Sequence, residues 1–128
     1  MLGRATGAVL VGVEARLVEV EVDLAGGLPS VSAVGLPDTA VREGIERIRS
    51  AIPNAGFRLP DGRAIINLAP AEIPKQGTGL DLPIAAAMLA ADAQMNGGLP
   101  GDAVVVGELG LDGSVRPIRG VLSIAMEA

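Results

Sequence analysis

Alternating hydrophobic and polar residues predict an amphipathic strand near the start of the chain. In residues 16–24, RLVEVEVDL, aliphatic residues fall on one face and acids on the other: Val18, Val20, Val22 and Leu24 against Glu19, Glu21 and Asp23. A period of two is typical of a strand with one buried and one solvated face. Gly26-Gly27 and the following residues 30–34 predict a second strand, paired with the first as an antiparallel hairpin. The opening residues 7–13 are a candidate for one further strand.

Residues 36–52, LPDTAVREGIERIRSAI, carry the spacing of an amphipathic helix. Asp38 is a favourable N-cap residue, and Pro53 and Gly56 end the segment. Glu43 and Arg47 lie four positions apart, so we predict that they pair on the outer face. The inner face is an apolar stripe at helical spacing: Val41, Ile45, Ile48 and Ile52.

The second half of the chain predicts a buried helix between apolar strands. Residues 64–68 are apolar on both faces, which indicates a central strand. Asp81 is predicted to cap a second helix that runs to Ala91 and is apolar nearly all round, hence buried. Residues 103–106, AVVV, predict another central strand, and Asp112-Gly113 predicts a hairpin turn that returns the chain along residues 114–118.

These elements predict one α/β (α+β) domain over residues 1–128, with a mixed sheet and helices mainly on one face. The final residues, VLSIAMEA, begin a helix without a closing turn, so we expect the chain to be a fragment of a longer protein. It has no signal-peptide pattern and no stretch of roughly 18 apolar residues that could span a membrane. We therefore expect a cytoplasmic protein with no membrane partner.

The composition excludes several kinds of chemistry. The chain contains no cysteine and no histidine, so a Ser-His-Asp triad, a Cys-His pair and a thiolate or histidine metal site cannot form. Phe57 is the only aromatic residue, which removes the usual platforms for base stacking. Lys75 is the only lysine, so any mechanism that needs an amine must use it. The acidic row at Glu19, Glu21 and Asp23 follows from alternation alone, and we assign no metal site to it.

Several motifs in order resemble a known family over nearly the whole chain. VSAVGLPDTAVREGIERIRSAI, INLAPAEIPK, PKQGTGLDLPIAAAML and VVVGELGLDGSVRPIRGVL resemble the N-terminal domain of ComM/YifB-type proteins, the magnesium-chelatase-like ATPases. The resemblance implies a fold similar to the Lon proteolytic domain and the RadA C-terminal domain. It also implies a AAA+ module beyond Ala128 that forms rings, binds ATP and magnesium, and is implicated in DNA branch migration during natural transformation.

The resemblance to Lon raises the question of a Ser-Lys dyad, in which a neutral amine removes a proton from the serine hydroxyl. Alignment on the loop motif places Gly79 at the serine position, and alignment on Pro117-Ile118 places Leu122 at the lysine position. Thr78 is the neighbour of the first position and Ser123 the neighbour of the second. With both functional groups absent, we predict no peptidase activity. The alternative is an active peptidase with a displaced dyad of Thr78 and Lys75.

A phosphate-binding loop is not predicted here either. A P-loop places its lysine after the glycines, at the start of the helix. In this chain Lys75 precedes the glycines, and Asp81 stands at the helix N-terminus, where its carboxylate would repel phosphate. We interpret Gly77-Thr78-Gly79 as a tight turn that brings the helix close to the sheet.

The charge distribution is compatible with a contact between part of the chain and DNA. The whole chain has a net charge of −5, which argues against a DNA clamp. Residues 42–63 nevertheless contain five arginines and three acids. Two interpretations of this segment remain open, a phosphate-facing patch and a solvated helix face. The candidate DNA contacts are Arg42, Arg47, Arg49, Arg58 and Arg63, with Lys75 and Arg119 as weaker candidates.

Together these observations favour a non-catalytic domain for docking or assembly, attached to a ring ATPase. We expect this chain to bind no cofactor, while ATP and magnesium belong to the ATPase module. The expected partners are other copies of the full-length protein in a ring, and DNA.

Overall fold

The computed structural model describes residues 1–95, 101–118 and 125, and its largest element is a four-stranded mixed sheet. The strands are β1 (Leu2–Val11), β2 (Glu14–Ala25), β3 (Ser30–Val34) and β4 (Arg63–Ala69), in the order β1-β2-β4-β3. The β1–β2 and β2–β4 pairs are antiparallel, and the β3–β4 pair is parallel. The predicted opening strand is confirmed as β1, and it joins β2 through the two-residue turn Gly12-Val13, with Gly12 at φ 65°.

The predicted antiparallel pairing of β2 with residues 30–34 is wrong. β4 lies between these two strands, where Leu68 pairs with Val20 of β2 and Ala64 pairs with Val31 of β3. The reason is that a helix follows β3 at once, and a strand–helix–strand connection brings the next strand back parallel to the first. As predicted, residues 64–68 form a central strand.

Two helices, α1 (Thr39–Asn54) and α2 (Asp81–Ala91), follow the predicted segments closely. Asp38 is confirmed as the N-cap of α1, since its carboxylate accepts a hydrogen bond from Val41 N at 2.8 Å. The predicted cap of α2 is wrong: Leu80 is the N-cap residue, and Asp81 is the first helical residue, with its side chain bonded elsewhere. No helix in residues 1–95, 101–118 and 125 is long and apolar enough to cross a membrane.

The core lies between the helices and one face of the sheet, which confirms the predicted fold class. Val18, Val20 and Val22 of β2 are completely buried there, as the alternating pattern predicts. β1 contributes three small residues to this face beside α2, Gly3, Ala5 and Gly7, and Val9 follows them in the same core. A Cβ at Gly3 or Gly7 would collide with α2, so the helix lies almost directly on the backbone of β1.

Residues 101–118 form a smaller unit at the edge of β1. The predicted central strand at residues 103–106 is wrong, because only an isolated bridge joins Val104 to Thr6. The chain then turns away at Gly107, whose N–H donates to Gly79 O at 3.0 Å. The hairpin predicted at Asp112-Gly113 is confirmed by β5 (Glu108–Leu109) and β6 (Val115–Arg116). The helix predicted for the final residues falls outside the described residues except for Ala125.

Candidate functional site

The loop between β4 and α2 is attached to the start of α1. The Lys75 N–H donates to Leu36 O, and Asp38 N donates to Lys75 O, both at 2.9 Å. The Asp38 carboxylate, which caps α1, also accepts a hydrogen bond from Gly77 N at 3.3 Å. Gly77 has φ 86°, a conformation that other residues rarely adopt. One aspartate therefore fixes both the helix start and the glycine turn of the loop.

Lys75 is fully buried, and its ammonium group donates a hydrogen bond to Pro70 O. Burial lowers the pKa of the Lys75 amine because desolvation disfavours the charged form, while the carboxylate of Glu72 opposes this shift. The sequence does not predict this burial, because residues 74–77, PKQG, are typical of a polar surface loop. The finding makes Lys75 a structural residue of the loop.

The buried amine should make stability depend on pH in the alkaline range. Lys75 loses its proton at a lower pH in the folded protein than in the unfolded chain, so between the two pKa values the folded state binds fewer protons. The contribution of Lys75 to the free energy of unfolding therefore increases as pH rises through this window. The window ends near the pKa of lysine in the unfolded chain, roughly 10.4. Urea unfolding at several alkaline pH values should show a smaller gain for Lys75→Met than for wild type. The same gain in both proteins would contradict the assignment.

A cleft of about 530 Å³ opens beside Gly79. Its walls are residues 8–10 and 12 from β1 and its turn, residues 76–79 of the loop, and residues 117–118 after β6. A Cβ at Gly79 would lie 3.1 Å from Ile118 Cδ1 and 3.9 Å from Ala8 O. A side chain at position 79 would therefore project into the cleft, and glycine keeps this space open.

The cleft contains one of the residues considered for catalysis by a displaced dyad. Thr78 lines it, whereas Lys75 does not, because the amine of Lys75 is directed to Pro70 O. Within the described residues no hydrogen bond joins Thr78 to Lys75. The other relic position, Leu122, lies outside the described residues, as do Ser123 and Arg119.

Arg47 and Asp81 form a partly buried ion pair between the two helices. Arg47 donates from Nε to Asp81 Oδ2 at 2.7 Å and from Nη2 to Oδ1 at 3.1 Å. Asp81 Oδ2 also accepts a hydrogen bond from Leu109 N at 3.1 Å, so its carboxylate joins α1, α2 and β5. Asp81 is only 2% exposed, whereas the Arg47 side chain is 22% exposed. These hydrogen bonds raise the pKa of Arg47, against the effect of its own desolvation.

The predicted position of Arg47 on the outer face of α1, paired with Glu43, is therefore wrong. Gly44 provides the reason, since a Cβ at this buried position would collide with Asp81 Oδ1. The missing side chain lets α2 approach α1, and Arg47, one turn further along, reaches the same carboxylate. Residue spacing within one helix could not reveal a partner that lies 34 positions away.

The five candidate arginines fall into two groups. Arg47 binds Asp81, and Arg58 binds Asp92 Oδ2 at 2.8 Å. The other three side chains are exposed and form no ion pair within the described residues: Arg42, Arg49 and Arg63. Of the five candidates, these three have guanidinium groups without a carboxylate partner in the part of the chain that the structure describes.

Two of the three acids in the row on β2 are bound by neighbouring residues. Glu21 accepts hydrogen bonds from Asn67 Nδ2 at 3.1 Å and from Arg4 Nε at 3.2 Å, and these bonds lower the pKa of Glu21. Asp23 pairs with the amino group of Met1 at 3.4 Å. Within residues 1–95, 101–118 and 125, no three acidic side chains come close enough to hold a metal ion.

Comparison with known proteins shows the family. The family model described as subunit ChlI of Mg-chelatase matches residues 20–128. Escherichia coli YifB, an uncharacterised protein, is 47% identical over 91% of this chain, and Haemophilus influenzae competence protein ComM is 44% identical over the same share. An uncharacterised Mycobacterium tuberculosis protein is 42% identical over 99% of the chain. These alignments cover 23–25% of the relatives, so the chain spans about a quarter of their length. The chain belongs to the ComM/YifB group of the magnesium-chelatase ChlI family.

Proposed function

We propose that this chain is a non-catalytic docking and assembly domain of a ComM/YifB-type AAA+ ATPase that acts in DNA branch migration. The observation that carries the proposal is the chemistry of the cleft. Gly79 offers no nucleophile there, and the amine of Lys75 is buried against Pro70 O instead of facing Thr78. A dyad needs both groups within hydrogen-bond reach of each other, so this geometry favours binding over hydrolysis.

The length and names of the relatives support the rest of the proposal. A chain that spans a quarter of its relatives leaves most of the protein for a separate ATPase module. ATP and magnesium belong to that module, and ring assembly in the cytoplasm would position this domain around it. The name of competence protein ComM favours a role in DNA uptake or processing. DNA contacts of this domain would fall on Arg42, Arg49 and Arg63, because Arg47 and Arg58 already bind carboxylates.

Removal of residues 1–128 from the full-length protein tests this function. We expect the shortened protein to retain ATP hydrolysis but to lose at least tenfold in branch migration of a four-way DNA junction, with smaller particles in light scattering. Unchanged particle size and branch migration would contradict the proposal. As a control, the intact protein and its Thr78→Ala variant are tested for cleavage of unfolded casein. Cleavage that Thr78→Ala abolishes would favour the alternative, a Lon-like peptidase.

A further inference from the structure

The edge of the sheet opposite β1 is formed by β3, whose backbone groups alternate in direction. Ser30 N donates to Gly62 O at 3.3 Å, so the backbone groups of every second residue from Ser30 point towards β4. The N–H and C=O groups of Val31 and Ala33 therefore point outwards. Within residues 1–95, 101–118 and 125, no other strand and no further backbone hydrogen bond meets these outward groups.

The outward side of β3 is accessible in the described structure. Each of its five residues is either exposed or only partly buried. The described segments end away from this strand, since Gly101 and Ile118 lie beside β1 on the far side of the sheet and Met95 lies beside Phe57 and the two helices. An edge strand with free N–H and C=O groups is a template for another strand.

β3 lacks the features that usually keep sheet edges apart. Edge strands are commonly protected by charged side chains, by proline or by a bulge. Residues 30–34, SVSAV, contain none of these, and the uncharged stretch extends from residue 24 to residue 37. The net charge of −5 opposes contact between two copies of the chain in general. A contact at β3 avoids this repulsion because it brings no charged residue of the strand against its partner.

The order of residues around β3 is self-complementary. When two β3 strands pair in antiparallel orientation, Val31 of one copy faces Ala33 of the other, and each such pair exchanges both of its N–H···O bonds. This register places Ser32 opposite Ser32 and brings Leu28 of one copy next to Leu36 of the other. Leu28 is 87% exposed and Leu36 is 54% exposed, so the contact removes aliphatic surface from water at both ends of the strand pair. An unrelated strand would satisfy the backbone groups without matching the two leucines.

We propose that β3 is a contact between two copies of this chain, paired in antiparallel orientation about a two-fold axis at Ser32. The contact continues the mixed sheet from one copy into the other. One short strand falls below the roughly 1,200 Å² that stable interfaces bury, so we expect weak association of the separate chain and tighter association where copies are held together in a larger assembly. The inference rests on the proposed docking function and names one partner, a second copy.

Single cysteines test the register, because the natural chain contains none. In the proposed pair the two Ser32 Cα atoms are roughly 4.5 Å apart, within the range of a disulfide, whereas the two Ser30 Cα atoms are about 13 Å apart. Under a mild oxidant, Ser32→Cys should form a covalent dimer at least tenfold faster than Ser30→Cys. A mixture of Ser30→Cys and Val34→Cys should form the heterodimer at least tenfold faster than either variant dimerises alone, because these positions face each other. Equal rates for Ser30→Cys and Ser32→Cys would overturn the proposal.

Two further variants test the contact without a disulfide. Ala33→Pro removes an outward-facing N–H without removing a bond to β4, and Ser32→Lys places two like charges on the axis while the backbone stays intact. In sedimentation equilibrium the wild-type chain should show a monomer–dimer equilibrium, and each variant should raise the dissociation constant at least tenfold. The matched control, Ala33→Ser, should stay within threefold of wild type. Thermal unfolding identifies any variant that fails to fold.

The remaining outcomes separate this contact from the docking function. A wild-type chain that stays monomeric at millimolar concentration would overturn the β3 contact alone, because the deletion experiment measures particle size and branch migration of the full-length protein. Species larger than a dimer would overturn the two-fold pairing, since they require a heterologous contact. Conversely, β3 pairing with unchanged particle size and branch migration after deletion would contradict the docking function alone.

Discussion

Replacement of Arg47 by methionine is expected to lower the free energy of unfolding by about 3 kcal/mol, because it leaves the buried Asp81 carboxylate without its counter-charge. Most surface ion pairs contribute only about 0–1 kcal/mol. This pair differs because Asp81 is 2% exposed and has no access to water that could replace the guanidinium group. The remaining hydrogen bond from Leu109 N cannot neutralise the charge.

Urea unfolding of Arg47→Met and Arg42→Met provides the measurement with a matched control. Arg42 lies on the same helix, is exposed and has no carboxylate partner among the described residues, so its replacement should change stability by no more than about 0.5 kcal/mol. Similar losses for the two variants would show that the Arg47–Asp81 pair behaves as an ordinary surface pair.

A double-mutant cycle separates the pair from the side chains that form it. Asp81→Asn keeps an acceptor for Leu109 N and removes the buried charge, so the double variant with Arg47→Met should be destabilised by less than the sum of the single variants. Simple additivity would mean that the two residues act independently. The cycle matters for function because Asp81 begins the helix that follows the cleft loop.

Local periodicity predicted the parts of the fold in which one face of an element meets the core. The alternation at Val18, Val20 and Val22 and the helical stripe from Val41 to Ile52 both identify buried faces correctly. The same patterns say nothing about which strands are neighbours, so β4 was not expected between β2 and β3. Its insertion depends on contacts between segments more than 30 residues apart.

The candidate site could be predicted only in outline. The motif PKQGTG correctly identified a glycine turn before a buried helix, and Gly79 does lie in a cleft. The burial of Lys75 and the partner of Arg47 could not be predicted, because both depend on how α1 and the loop pack in three dimensions. In both cases residue type was misleading, because lysine and arginine usually lie on the surface and are buried mainly when they are paired.

Small residues in β1 allow α2 to pack directly against this strand. Gly7 contacts Leu80 and Pro83, at the start of α2, and Gly3 contacts Ala87 and Ala91, near its end. Both ends of α2 therefore rest on the backbone of β1. The position of α2 relative to β1, and of the cleft loop that leads into α2, depends on this direct contact.

Gly3→Ala is accordingly expected to lower the free energy of unfolding by about 3 kcal/mol, at the upper end for overpacking. The added Cβ would overlap Ala87 O and lie 2.5 Å from Ala91 N. Both atoms belong to the backbone of α2, so the clash can be relieved only if the whole helix moves away from β1. Gly26→Ala is the matched control, since its Cβ meets no atom within 4 Å. Equal stability of the two variants in urea unfolding would contradict the packing.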